Sequence, residues 1–257
     1  RGWGRVAGGG AAGGASGSAL ATLSKHRAPV MHLASLDGCT IASADRDGCV
    51  IWWDLERGGI GSRVGAHRGH ATALASAHDR RLLSGGQDGV VRLWDLRESI
   101  RATSSMSGES SRSESSRSSQ ARRVHTGAVN DVLSHQFARE LVLSSGADGC
   151  VHVLEPRMSL RSIHMIREHA KGGVEGGVGR GGGFVYALAA VADVAVSGGG
   201  DGRSDMFGID TTDDGRVDTL ITRSSSHLRT VAISPTRTLV GAASVKAPIS
   251  RLVTSSR

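Results

Sequence analysis

The stretch SGGQDGVVRLWDLR, residues 84–97, decides how this chain of 257 residues is to be understood. It places Ser84, Asp88 and Trp94 close together, a combination that could form an active site or could hold a small sheet together. Recurrence distinguishes the two, because a catalytic set is needed once whereas a structural set is needed in every copy of a repeat. The first question is therefore whether the pattern is repeated.

The pattern occurs four times along the chain. The four copies are ASADRDGCVIWWDLERG (42–58), LSGGQDGVVRLWDLRES (83–99), LSSGADGCVHVLEPRMS (143–159) and VSGGGDGRSDMFGID (196–210). The third copy has Leu154 and the fourth has Phe207 where the first two have Trp. When a Ser-rich and a Gly-rich insertion are set aside, the copies follow one another at about 40 residues, which is the spacing of a repeat protein.

Each copy is typical of a small antiparallel sheet. In the second copy, ATALASA and RLLSGG carry the alternation of two strands, and GVVRLWDL is rich in β-branched and aromatic residues. An Asp-Gly pair separates the second and third predicted strands, where glycine can take the positive φ of a tight hairpin turn. The 37 glycines and the aromatic content of only 3 % favour many short strands over a helical bundle. The sequence therefore predicts an all-β fold.

These repeats resemble those of the WD-repeat (WD40) family. The resemblance rests on Gly69-His70, Ser84, Asp88-Gly89 and Trp94-Asp95, and it covers about residues 25–215, with weaker echoes to about 243. It implies a β-propeller of four-stranded antiparallel blades around a central channel. About five units are readable, whereas about seven are familiar in this family. A truncated chain, degenerate blades or a ring closed at five would each explain the difference, and the initial Arg in place of Met favours truncation.

The expected organisation is a flexible Gly/Ala-rich segment over 1–17 followed by a propeller over 18–257. Its units are 18–58, 59–99, 124–158, 169–216 and a degenerate unit over 217–257, with a disordered Ser/Arg-rich insertion at 100–123 and a Gly-rich insertion at 171–183. Ser beside Arg in the first insertion is a pattern of basophilic phosphorylation, although a solvated linker is the simpler interpretation.

The resemblance also implies a hydrogen-bonded His–Ser–Asp–Trp set that stiffens each blade. By position the sets are His26, Ser43, Asp47 and Trp53; His70, Ser84, Asp88 and Trp94; His125, Ser144 and Asp148; and His169, Ser197 and Asp201. Because Leu154 and Phe207 cannot donate the indole bond, we expect the last two blades to be less rigid. A set repeated in four units is not a Ser-His-Asp triad, so we predict that the protein is not an enzyme.

Metal, cofactor and membrane functions receive no support from the sequence. Cys39, Cys49 and Cys150 are too far apart for a Cys-x-x-Cys site and indicate free thiols in a reducing compartment. GRGGGF, residues 179–184, lacks the Gly-Lys-Ser/Thr ending of a phosphate loop. No apolar run reaches the roughly 18 residues of a membrane span. We expect no metal and no cofactor, and a location in the cytoplasm or the nucleus.

The resemblance implies that the protein binds other proteins. In this family, partners usually contact the residue before each turn Asp and the residues just after each His. The partner-binding candidates are Arg27, Pro29, Arg46, Thr72, Gln87, Arg97 and Phe184. WDLR, residues 94–97, also resembles the Trp-Asp-x-Arg box of receptors that dock on the adaptor of cullin-type ubiquitin ligases, which makes a substrate receptor one alternative. An RNA-associated scaffold is another, although the net charge of +7 is scattered and disfavours nucleic-acid binding.

Overall fold

The computed structural model describes a series of small antiparallel sheets. It covers residues 22–56, 59–97, 120–135, 141–167, 169–171, 183–191, 194–208, 219–223, 228–233 and 239–244. The segments expected to be flexible or disordered, 1–17, most of 100–123 and most of 171–183, lie outside these described residues.

The described residues form eighteen strands and two short 3-10 turns. The strands are Val30–Ser35 (β1), Thr40–Asp45 (β2), Cys49–Asp54 (β3), Gly59–Gly65 (β4), Ala71–Ala77 (β5), Arg81–Gly86 (β6), Val90–Asp95 (β7), Gln120–Arg123 (β8), Val129–His135 (β9), Leu141–Gly146 (β10), Val151–Glu155 (β11), Arg161–Ile166 (β12), Val185–Val191 (β13), Val194–Gly199 (β14), Arg203–Gly208 (β15), Thr219–Arg223 (β16), Leu228–Ile233 (β17) and Leu239–Ser244 (β18). The turns are Pro156–Met158 and His169–Lys171. In this part of the chain no helix is long and apolar enough to cross a membrane.

Consecutive strands pair into five sheets, which we call blades 1 to 5. Blades 1 to 4 are β1–β4, β5–β8, β9–β12 and β13–β16, each a four-stranded antiparallel meander, and blade 5 is the pair β17–β18. The predicted all-β fold with four-stranded antiparallel blades is confirmed. The first strands of the blades contact one another in chain order, from β1 through β5, β9 and β13 to β17. The described blades thus form an arc around a common axis rather than a closed ring.

Apolar clusters fill the space between consecutive blades. Between blades 1 and 2 lie Val50, Trp52, Leu74, Leu82 and Trp94; between blades 2 and 3 lie Leu83, Val91, Leu93, Val129, Val142 and Leu154; between blades 3 and 4 lie Leu143, Val151, Val153, Val185 and Phe207. Each fully buried side chain of this size stabilises the fold by about 2 kcal/mol. The core therefore consists of the interfaces between blades, and one blade alone would leave its two faces exposed.

The strands do not follow the expected unit boundaries. β4 lies in the unit expected over 59–99, yet it pairs with β3 and completes blade 1. β8 lies in the insertion expected to be disordered, yet Gln120–Arg123 pairs with β7 and completes blade 2. The physical reason is the same in both places, because an unpaired outer strand would leave backbone N–H and C=O groups without partners. The sequence repeat is therefore offset from the blade by one strand.

Every innermost strand carries a one-residue bulge near its start, where it pairs with the second strand of its blade. In blades 1 to 4 the extra residue is Met31, Thr72, Asn130 or Tyr186, and blade 5 has the same irregularity. The Thr72 hydroxyl donates to the carbonyl oxygen of Val129, in the next blade. The Asn130 amide donates in the same way to Val185 of the blade after that, at 2.7 Å. In blades 2 and 3 the bulge thus aims a polar side chain across the blade interface.

Candidate functional site

In blade 2 the structural set is built on His67 and not on the predicted His70. The His67 ring nitrogens lie 3.0 Å from Asp88 Oδ1 and 2.8 Å from Ser84 Oγ. The indole N–H of Trp94 donates to the same hydroxyl at 2.9 Å. The sequence favours His70 because this residue forms a Gly-His pair with Gly69, whereas the informative signal is the spacing of the His to the innermost strand.

That spacing is shared by three blades. His26, His67 and His125 each stand four residues before the first residue of an innermost strand, which is Val30, Ala71 or Val129. A segment of four residues is long enough to connect the buried His to the first residue of the innermost strand. His70, one residue before Ala71, is too close to that strand for its ring to reach Ser84.

In blade 1 the carboxylate comes from Asp45 and not from the predicted Asp47. His26 lies 2.6 Å from Asp45 Oδ2 and 2.5 Å from Ser43 Oγ, and the Trp53 indole donates to Ser43 Oγ at 2.8 Å. Asp47 is exposed, and its N–H donates to Asp45 Oδ1 at 3.0 Å.

The exchange of aspartates has a steric cause. The residues that correspond to Asp45 in the other three complete blades are Gly86, Gly146 and Gly199, where a Cβ would lie 2.2 to 2.3 Å from the His ring. In blades 2 to 4 the glycine leaves this position without a side chain, and the carboxylate that contacts the His ring comes from the turn aspartate. Asp45 instead fills the site with its own carboxylate, so the turn aspartate of blade 1 is released to solvent.

Blades 3 and 4 join the predicted residues without a Trp. His125 lies 2.9 Å from Asp148 Oδ1 and from Ser144 Oγ. In blade 4, His169 lies 3.0 Å from Asp201 and 2.9 Å from Ser197. Leu154 and Phe207 occupy the Trp positions as fully buried apolar side chains.

The burial and bonding of these sets suit stabilisation of the blades. Ser84 and Ser144 are fully buried, so no substrate can approach their hydroxyl groups. Burial lowers the pKa of His67 in spite of Asp88 beside it. Burial raises the pKa of Asp148, but the hydrogen bond and charge of His125, together with N–H bonds from Thr126 and Cys150, outweigh this effect and bring that pKa down to about 2. The arrangement therefore holds an ionised carboxylate against a shielded imidazole inside the blade.

Two described clusters have the composition of a metal site. They are His26, Asp45 and Cys49, and His125, Asp148 and His152, with ligand atoms within 4.8 Å of one another. Both ring nitrogens of His26 and of His125 already contact an Asp and a Ser. A cation would have to displace the bonds that hold the blade, so the geometry fits blade stiffening better than metal binding.

A repeated backbone hydrogen bond gathers the candidate binding residues on one end of the blades. In each of blades 1 to 4, the residue that directly follows the second strand donates its N–H to the carbonyl oxygen of the residue just before the innermost strand. The pairs are Arg46 to Pro29 at 3.0 Å, Gln87 to His70 at 2.8 Å, Ala147 to Ala128 at 2.8 Å and Gly200 to Phe184 at 2.7 Å. We call these eight residues the turn face. The candidates Pro29, Arg46, Gln87 and Phe184 all belong to it.

Side chains of the turn face project into solvent and link neighbouring blades. Arg46, Gln87 and Phe184 are exposed, and Phe184 lies 6.1 Å from the Tyr186 ring between centroids. The Arg46 guanidinium donates to His70 Nε2 at 3.4 Å, from blade 1 to blade 2. Arg27 is exposed beside the turn face. His70, which the sequence assigned to the structural set, is thus a residue of this surface.

Two predicted binding residues have other surroundings. Thr72 is half-buried, and its hydroxyl is used in the bond to blade 3. Arg97 follows β7 at the opposite end of blade 2, where its guanidinium lies 2.9 Å from Asp79 Oδ1. Asp79 precedes β6 and Gln87 follows it, so Arg97 and Gln87 are separated by the length of that strand. The structure therefore separates Arg97 from the other candidates.

Comparison with known proteins agrees with this architecture. Residues 17–54 and 61–95 match the family model of the WD domain, G-beta repeat. No curated protein sequence matches the chain. Among solved structures, a chain of the crystal structure of the mitotic checkpoint complex is similar at 18 % identity and a TM-score of 0.68, over 90 % of this chain and 64 % of that one. Our chain thus spans less than two thirds of that neighbour, and the likeness concerns the fold. The chain thus carries two repeats that match the WD40 family model, and the same four-stranded blade continues beyond them in a β-propeller-like fold.

Proposed function

We propose that the protein is a non-enzymatic scaffold that binds other proteins through the turn face. The observation that carries the proposal is the repeated N–H to carbonyl bond, which places four pairs of residues on one end of the blades. The backbone is the same in each pair while the side chains differ, as in Arg46 and Pro29 against Gly200 and Phe184. Such a surface can be specific for one partner without any change in the fold.

The chemistry of the turn face supports recognition of a protein. Arg and aromatic side chains are enriched among the residues that dominate binding energy at protein interfaces, and the face presents Arg46 and Phe184. The solved neighbour belongs to a multiprotein complex, which is consistent with this proposal. The free thiols Cys39, Cys49 and Cys150 support a reducing location such as the cytoplasm or the nucleus.

Affinity purification of matched variants tests the proposal. The double variant Arg46→Glu/Phe184→Ser removes the two anchors, and Arg122→Glu changes an exposed charge on β8, the outer strand of blade 2. We expect quantitative mass spectrometry to show at least a tenfold loss of the same partners for the double variant alone. Equal recovery with the double variant and the wild type would contradict the assignment of the turn face.

A second candidate function is supported by the exposure of Arg97. Its side chain and that of Asp79 form an ion pair in solvent at the end opposite the turn face, where an adaptor of a cullin-type ligase could bind at the same time as a substrate. In this proposal the Arg97 guanidinium releases Asp79 and binds a carbonyl or carboxylate group of the adaptor instead. Arg97→Ala should abolish binding of the purified adaptor, and Asp79→Asn should preserve it. Unchanged binding by Arg97→Ala would remove this candidate.

A further inference from the structure

The outer edge of blade 3 exposes an apolar surface that the turn face does not include. Met158 is 46 %, Ile163 is 50 % and Met165 is 38 % exposed. The other large apolar residues exposed among the described positions are Leu23, Val30, Met31 and Leu33 near or in blade 1, and Phe184 on the turn face. The surface at blade 3 is therefore separate from both.

Strand β12 presents this surface with a regular alternation. Arg161, Ile163 and Met165 are exposed, while the intervening Ser162 and His164 are half-buried. Side chains two residues apart on a strand point to the same side and lie about 7 Å apart. The pairing with β11 is irregular at Ile163, which is the extra residue of a bulge.

Both ends of β12 are anchored in the core, so the surface is held in place. Leu160 is fully buried before the strand and Ile166 is buried at its end. β12 is also the last strand in the order of its sheet, with β11 as its neighbour. A strand in this position presents backbone N–H and C=O groups that an added peptide can pair with.

Positive charge surrounds the apolar side chains. Arg157, Arg161 and Arg167 are exposed around them, and the Arg167 guanidinium lies 3.4 Å from the Met165 sulfur. The nearest acidic residue on the paired strand is Glu155, which stands opposite Arg161. Among the described residues here, one carboxylate stands against three guanidinium groups; even with Glu168, which follows Arg167 in the sequence, the arginines outnumber the carboxylates. The outer strand of blade 2 is also basic, but its exposed residues are Ala121, Arg122 and Arg123, which offer no large apolar group.

We propose that Met158, Ile163 and Met165, with Arg157, Arg161 and Arg167, form a second docking surface for an extended acidic and apolar segment of a partner protein. Its acidic residues pair with the three arginines, and its apolar residues cover Ile163 and Met165. A second copy of this surface is disfavoured, because two such surfaces would bring six arginines together. The proposal does not depend on the turn face, since the two surfaces share no residue.

The probe is a fluorescent short peptide that alternates Asp and Leu, titrated against the full chain by fluorescence anisotropy. We expect saturable binding that weakens at high salt, because the charges are exposed. A peptide of alternating Lys and Leu and one of alternating Asp and Ser should each bind at least about tenfold more weakly. Equal binding of the Asp/Ser peptide would overturn the apolar part of the proposal.

Matched variants locate the site. Ile163→Ser/Met165→Ser and Arg161→Glu should each weaken the Asp/Leu peptide by about tenfold or more. Arg122→Glu on β8 and Arg46→Glu on the turn face should leave its affinity unchanged. If Arg46→Glu lost affinity for the peptide and the β12 variants did not, the location of the site on β12 would be refuted. Two further results would overturn the assignment of a partner protein. One is competition with the peptide by vesicles of phosphatidylserine and phosphatidylcholine, and the other is self-association of the chain that the β12 variants abolish.

Discussion

The side-chain amide of Asn130 donates a hydrogen bond of 2.7 Å to the carbonyl oxygen of Val185, and so ties the innermost strand of blade 3 to that of blade 4. Thr72 makes the equivalent bond from blade 2 to Val129. Both donors occupy the bulge of their strand. Blades 2, 3 and 4 are therefore joined by directional polar contacts as well as by apolar packing.

Removing this link should destabilise the fold. We expect Asn130→Ala and Thr72→Val each to lower the free energy of unfolding by about 1 to 2 kcal/mol, because each leaves a buried carbonyl without its donor. Thr72→Ser retains the hydroxyl and should cost less than Thr72→Val. Urea unfolding monitored by Trp fluorescence provides the measurement. If Thr72→Val and Thr72→Ser were equally stable, the bond would have no structural importance.

The close approach of Gly146 to a buried ring gives a second prediction. A Cβ at Gly146 would lie 2.3 Å from Nδ1 of His125, whereas a Cβ at Gly65 would meet nothing within 4 Å. Gly146→Ala should therefore lower the free energy of unfolding by about 2 kcal/mol or more. Gly65→Ala, the control, should change it by less than about 0.5 kcal/mol. Similar stabilities of the two variants in a urea titration would contradict the steric account.

Two leucines in equivalent positions should differ in their importance. Leu33 pairs with Ser43 in blade 1 as Leu74 pairs with Ser84 in blade 2, yet Leu33 is 65 % and Leu74 only 3 % exposed. We expect Leu74→Ala to cost about 3 kcal/mol, since it opens a cavity between blades. Leu33→Ala should cost less than about 1 kcal/mol. An equal loss of thermal stability in the two variants would show that Leu33 is covered.

Asp131 should make stability depend on pH. It accepts N–H bonds from Leu188 of blade 4 and from Val132, but burial outweighs both and raises its pKa from 3.8 to about 6. The folded state then binds more protons than the unfolded state between these values. The free energy of unfolding should therefore fall by about 2 kcal/mol through this residue as pH rises from 4 to 7.

The variant Asp131→Asn isolates this contribution from all other titrating groups. Its stability relative to the wild type should increase by about 2 kcal/mol between pH 4 and pH 7, because the variant has no charge to bury. Urea unfolding at a series of pH values measures the difference. A constant difference across this range would mean that Asp131 ionises at its ordinary pKa.

The sequence predicted the features of the fold that depend on local interactions. The Asp-Gly turns are an example, since Gly48, Gly89, Gly149 and Gly202 all have a φ between 73° and 80°. The turn requires this conformation, and it can be recognised from two adjacent residues. The prediction of antiparallel blades depended on the same turns and on the alternation of the strands.

Features that depend on contacts between distant residues were missed. Asp45 replaces Asp47 because its side chain occupies a place that is glycine in the other complete blades, and this is visible only when the His ring is placed. β8 was missed because QARR has no strand pattern of its own and is ordered by β7. The position of Arg97 could have been recognised, since it follows the third strand at the end away from the Asp-Gly turn.

Hydrogen-exchange mass spectrometry of the chain, alone and bound to a co-purified partner, tests the turn face most directly. The account predicts slower exchange on binding in peptides that cover residues 27–31, 46–48, 68–72, 87–89 and 183–186. It predicts no change at 78–81 and 96–97, at the opposite end of blade 2. Protection at 78–81 and 96–97 without protection at 46–48 and 87–89 would contradict the proposed function.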